Sequence, residues 1–231
     1  MKKFRSLFTF IILLVMLSAC NKDDNQPDTV INTDANGNTS INNILLGQQV
    51  NALPKEVPLS QDESESILLM REEEKMARDA YTVFYQKWPQ PIFNNISKAE
   101  QTHMEAVLLL INKYELTDPV GTNPVGTFIN NDIRALYNAF IVQGAISYTE
   151  ALKAGATIEE VDIRDLQNML KEDDINNQDI EMVYSNLLKG SRNHLRSFVK
   201  VLKNQGINYV PQYLSQSEYD VIINSPMETG Q

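Results

Sequence analysis

The chain has 231 residues, one cysteine, two histidines and a formal net charge of −10. One cysteine excludes disulfides, CxxC redox centres and thiolate metal sites within the folded part. The acidic balance speaks against nucleic acid or anionic lipid as a partner, since both demand positive charge, and it suits a protein that collects cations.

Lys2, Lys3 and Arg5 open the chain, the apolar run LFTFIILLVML follows, and LSAC ends at Cys20. A basic start, an apolar run too short for a comfortable membrane span and small residues before a cysteine predict a bacterial lipoprotein signal over residues 1–19. Cleavage before Cys20 leaves that cysteine to carry lipid and places the protein at the bacterial cell envelope, on either side of the outer membrane. It also removes three basic residues and moves the net charge from −10 to −13. Residues 20–60 are rich in Asn, Asp, Thr, Gly and Gln. Such a composition buries too little apolar surface to order itself, which predicts a disordered tether. Residues 61–231 remain, a length suited to one domain.

Ser60 and Glu63 form a capping-box start for a helix over about 62–87, which Trp88-Pro89 ends. Met70, Ala77, Ala80, Tyr81 and Phe84 recur on it at helical spacing. A second helix begins near Pro91 and carries Ile92, Ile96, Val107, Leu110 and Tyr114 on one face. DPVGTNPVGTF is a loop, and a shorter helix over about 132–143 lies within the long connection. The third long helix starts at Ser147 and runs to about Lys171, with Gly155 as a candidate break. The fourth covers about 179–204, and a short helix follows Ser215. No stretch alternates with period two. The pattern predicts an all-α domain, a ferritin-like four-helix bundle with a helical crossover between the second and third long helices.

Glutamates are cheap on a helix surface and costly inside, so position decides their meaning. Glu74, four after Met70 and seven before Tyr81, falls on the apolar stripe; Glu72 and Glu73 face progressively away, as solvated charges. Glu100 lies four after Ile96, and His103 four before Val107. The competing reading for Glu100 is a capping box with Ser97. Glu159 lies seven from both Leu152 and Leu166, with Asp162 three further on, while Glu160 rivals Glu159 for the inward place. His194 interrupts the stripe between Leu187 and Phe198. Glu74, Glu100, His103, Glu159, Asp162 and His194 therefore converge. Four uncompensated carboxylates in one core would repel strongly. Two divalent cations remove that cost, and an oxygen-rich set with imidazoles suits iron or manganese. A metal-free polar network is the alternative.

FNNISKAEQTHMEAV resembles the second-helix motif of rubrerythrins and other ferritin-like proteins, and EKMARDAY the first helix of bacterioferritins. REEEKMARDAY, SKAEQTHM, GATIEEVDIRDL and GSRNHLRSF together resemble a bacterial ferritin-like family of unknown function, domain-of-unknown-function family 2202, over roughly residues 61–225. The resemblance implies that Glu74 is a bridging or terminal carboxylate, Glu100 and His103 the second-helix pair, and His194 the fourth-helix imidazole. Ser191 stands where the family pattern has a glutamate three before that histidine, and Asp162 is the substitute. The cysteine-ligated iron of rubrerythrins has no counterpart here, so electrons come from ferrous substrate or an external donor. The implied function is a lipid-anchored di-iron protein that oxidises ferrous iron or reduces oxygen or peroxide. Metal binding without turnover and a structural lipoprotein are the alternatives. A homodimer is left open, and a storage cage fits poorly with a tethered anchor.

Overall fold

The computed structural model describes residues 29–55, 58–171 and 175–230. The leader and Cys20 lie outside the described residues. In chain order the elements are β1 (Ile31–Thr33), β2 (Thr39–Ile41), α1 (Asn43–Ala52), α2 (Gln61–Lys87), α3 (Pro91–Lys113), α4 (Asn131–Gly144), α5 (Tyr148–Lys171), α6 (Gln178–Asn204) and α7 (Gln216–Asn224). Helices α2, α3, α5 and α6 are the four long patterns of the sequence, and α4 is the helix of the crossover. The protein is an all-α bundle with one small hairpin among the described residues. Among the described residues, no helix is long and apolar enough to cross a membrane.

The chain stops its helices where local chemistry says it should. Ser60 and Glu63 cap α2 reciprocally, and Ser215 and Glu218 do the same for α7. Pro91 opens α3 at its first turn, where its missing N–H costs nothing. Ser97 does not cap Glu100: its hydroxyl donates to the Asn94 carbonyl inside a continuous α3. Helix α5 is likewise unbroken at Gly155. A Cβ there would lie 2.6 Å from Cε1 of Phe198, so the glycine admits an aromatic ring rather than a bend.

Helix α2 packs most extensively on α3 and α5 on α6, and the two pairs face each other through α2–α5 and α3–α6 contacts. Met70, Tyr81, Phe84, Ile96, Leu110, Leu152, Leu187 and Phe198 fill the space between them.

The expected tether is a correction: residues 29–55 are folded onto the bundle. Strands β1 and β2 pair antiparallel, with Thr33 opposite Thr39 and Ile31 opposite Ile41. Gly37 makes the turn at φ 81°, and the Asp34 carboxylate accepts from the Asn36 and Asn38 N–H groups. Helix α1 lies against α3, where Lys113 donates to the Val50 and Leu53 carbonyls at 2.7 and 2.9 Å. Polar composition misled because this segment is held by hydrogen bonds to the bundle as much as by apolar burial.

Glu72 and Glu73 are also buried, against expectation. The crossover covers their face. Glu72 accepts from Ile129 and Asn130 N–H at 2.6 and 2.8 Å and so caps the approach to α4. Burial and the neighbouring Asp165 push the Glu73 carboxyl well above the usual range.

Candidate metal centre

Each long helix brings its charged residues to the same level of the bundle. Helix α2 supplies Glu74, α3 supplies Glu100 and His103 one turn apart, α5 supplies Glu159 and Asp162, and α6 supplies His194. Both histidines are fully buried, and Glu74, Glu100 and Glu159 are at most 2 % exposed. Gly190, one turn before His194 on α6, makes room for the opposite ring. A Cβ at that position would sit 2.5 Å from Cε1 and 2.8 Å from Nε2 of His103.

The Glu100 carboxylate lies between the two histidines. Its Oε2 is 2.8 Å from Nδ1 of His103, and its Oε1 is 2.8 Å from Nδ1 of His194. Glu74 Oε2 stands 3.4 Å from the first ring nitrogen and Glu159 Oε2 3.6 Å from the second. The imidazole rings lie 5.3 Å apart and nearly parallel. Atoms held at right angles about 2.1 Å from one octahedral ion stand about 3 Å from each other, close to these separations. Glu100 thus has one histidine on each side, each with a second carboxylate next to it.

Buried polar atoms ordinarily find hydrogen-bond partners. Here Oε1 of Glu74, Oε1 of Glu100, Oδ1 of Asp162 and Nδ1 of both histidines have none. The short carboxylate–imidazole approaches are not aligned as hydrogen bonds, so these atoms are left without one. Glu100, His103 and His194 form a buried group able to hold a metal ion.

Electrostatics agree that the set is under-compensated without a cation. Burial and then Glu100 lift Glu74 to about 8 against the stabilising effect of His103. Burial and Glu100 likewise lift Glu159 to about 7. Asp162 is pushed well above the carboxylate range by burial, Glu74 and Glu73. Burial would raise Glu100 too, but His194 and His103 outweigh it and hold that carboxyl below the usual range. Burial disfavours charge on His103 and His194, yet the carboxylates prevail, raising His103 well above an ordinary imidazole and His194 to about 9.

The family model described as "Uncharacterized protein domain (DUF2202)" matches residues 63–226, and all six expected ligands fall inside that span. The chain belongs to this family. "Uncharacterized protein MJ0754" of Methanocaldococcus jannaschii is 49 % identical over 183 residues, 79 % of this chain and 97 % of that one. The crystal structure of that hypothetical protein matches with a TM-score of 0.73 over 76 % of this chain and 99 % of its own. This relative is archaeal, whereas the sequence resemblance pointed to a bacterial family.

Within this DUF2202 domain, Glu159 is the inward carboxylate of the rival pair. The Tyr81 hydroxyl donates to its Oε1 at 2.5 Å. Glu160 points to the other side of α5, where it accepts from the N–H groups of Gln212, Tyr213 and Leu214 and from Tyr209. Asp162 is held from α6 by the hydroxyl of Ser191, the residue that replaces the expected glutamate. Sequence reasoning missed Thr39 altogether. Its carbonyl oxygen lies 2.9 Å from Nε2 of His103, and its N–H donates to Nε2 of His194 at 3.1 Å. A threonine in a polar segment carries no signal for that, because the contacts are made by main-chain atoms.

Proposed function

We propose that the chain is a ferritin-like carboxylate protein whose centre binds two divalent cations, iron with manganese as the alternative. The observation that carries this reading is the convergence of buried carboxylate and imidazole atoms without hydrogen-bond partners on both sides of the Glu100 carboxylate. Glu74, Glu100 and His103 would hold one ion, and Glu100, Glu159 and His194 the other, with Asp162 beside Glu74 and Glu159. Four carboxylates and two neutral imidazoles carry −4, the charge that two divalent cations cancel. When loaded with iron, such a centre supplies one-electron chemistry toward oxygen or peroxide, with ferrous iron or an external donor as reductant. Tyr81 orients Glu159, Ser191 orients Asp162, and the enclosed core excludes water from the ligands.

That enclosure favours a second reading, a metal protein without turnover. The test is metal analysis of the purified chain after anaerobic loading with Fe(II), followed by stopped-flow mixing with oxygen or peroxide. Two ions per chain with rapid oxidation support the enzyme, and two ions without oxidation the binding protein. Failure to retain any ion refutes both.

We further infer from the LSAC leader that the protein is anchored at the cell envelope by lipid on Cys20. Cys20→Ser should release it from the membrane fraction. Unchanged fractionation would refute the anchor.

A further inference from the structure

In an antiparallel pair, opposed residues alternate between those that exchange main-chain hydrogen bonds and those that do not. Asn42 N–H bonds the Val30 carbonyl, which places Thr39 opposite Thr33 in the second class. The N–H and C=O of Thr39 therefore point away from β1 along an otherwise open strand edge, and so does the N–H of Ile41. Ile41 N–H donates to the Thr102 hydroxyl at 2.8 Å, one residue before His103. Asn193, one residue before His194, donates to the Thr39 hydroxyl at 2.9 Å. The hairpin is thus locked to both helices that carry the histidines, with Thr39 fully buried between them.

The two hydrogen bonds made by Thr39 run in opposite directions. A carbonyl oxygen accepts only, so Nε2 of His103 carries a proton and keeps it when a cation takes Nδ1. An N–H donates only, so Nε2 of His194 is the unprotonated nitrogen and the ring's proton sits on Nδ1, beside Glu100. Against burial, Glu100 and Glu159 favour a second proton on this ring, and the Thr39 N–H facing Nε2 opposes it. A cation entering on the His194 side must displace the Nδ1 proton to Nε2, where it would face the Thr39 N–H, donor against donor.

We propose that the Thr39 main chain sets the two histidines to opposite proton placements and so makes the centre load in order. The first ion enters the half-site of Glu74, Glu100 and His103. The second enters the half-site of Glu100, Glu159 and His194 once the Thr39 N–H bond to His194 is broken. The loading order rests on the two-cation reading above; the proton placement does not. Thr39 is a positioning residue here, acting through its main chain rather than touching an ion.

The first experiment uses the whole chain without metal, labelled with ¹⁵N-histidine. Long-range ¹H–¹⁵N correlation spectra distinguish protonated from unprotonated ring nitrogens, and His103→Gln and His194→Gln assign the two rings. Nε2 should be protonated on His103 and unprotonated on His194. Protonation of Nε2 on both rings, or on neither, would overturn the proposal. The second experiment titrates Mn(II), followed by electron paramagnetic resonance and calorimetry. The second ion should bind about tenfold more weakly than the first, or weaker still, the penalty of one buried hydrogen bond lost to opposed donors. Thr39→Pro removes the N–H and keeps the carbonyl, and should narrow that gap by strengthening the second step. Equal steps in the parent, or an unchanged gap in a folded Thr39→Pro chain, would overturn the ordered loading. Absence of any Mn(II) binding would overturn the loading order together with the two-cation reading, while the spectra of the metal-free chain judge the proton placement independently.

Discussion

Gly190→Ala perturbs the centre without replacing any of its carboxylates or imidazoles. The added Cβ would lie 2.5 Å from Cε1 and 2.8 Å from Nε2 of His103. Carbon atoms at ordinary contact are about 3.5–4 Å apart, so the ring must retreat by about 1 Å. Its Nε2 is 2.9 Å from the Thr39 carbonyl, and a shift of that size stretches the contact past hydrogen-bonding distance. Overpacking costs about 1–3 kcal/mol. The lost buried hydrogen bond adds about 1–3 kcal/mol. Alanine's better helix propensity returns about 1 kcal/mol. The expected loss is about 3 kcal/mol, and urea denaturation in the presence of a chelator would read it. Because Nδ1 of the same ring is displaced from Glu100 and Glu74, Mn(II) affinity should also fall about tenfold or more. Gly144→Ala is the comparison: its Cβ would run into Phe84, so it should lose stability and keep its metal affinity. A Gly190→Ala protein with parental stability and parental Mn(II) affinity would refute the packing argument.

The metal-free chain should also show an unusual pH dependence. Glu74 and Glu159 have folded values raised from 4.5 to about 8 and about 7, so the folded state binds protons more tightly than the unfolded one. Their contribution to stability is present near pH 4.5 and is lost as pH rises through 7 to 8. Denaturation midpoints of the chelated protein should fall across that window, whereas bound cations should abolish the fall; a flat or rising profile without metal would contradict it. Glu160→Gln should cost about 2–4 kcal/mol, because three N–H groups of residues 212–214 lose their carboxylate. It should leave metal content intact, and a loss of metal at parental stability would show that the wrong carboxylate of the pair had been placed inward.

The helices and their inward carboxylates and imidazoles were legible because one periodicity governs both. A carboxylate or imidazole at the spacing of Met70, Ile96, Leu152 or Leu187 has to enter the core with them, and Glu74, Glu100, Glu159 and His194 do. The same rule failed for Glu72, Glu73 and Glu160, whose burial depends on later segments folding back: the approach to α4 over Glu72, Asp165 beside Glu73, and residues 209–214 over Glu160. Residues 29–55 were illegible for a related reason. Their order comes from main-chain groups of Thr39 and Ile41 meeting His103, His194 and Thr102, and side-chain composition does not register such contacts. Gly155 looked like a helix break; like Gly190, it is the flat place against which a ring from another helix rests.

Anomalous diffraction from crystals of the whole chain grown with Mn(II) tests the central claim most directly. The account predicts two manganese peaks flanking the Glu100 carboxylate, one beside Nδ1 of His103 and one beside Nδ1 of His194. Ordered density for Glu74, Glu100, His103, Glu159 and His194 with no anomalous peak among them would contradict it.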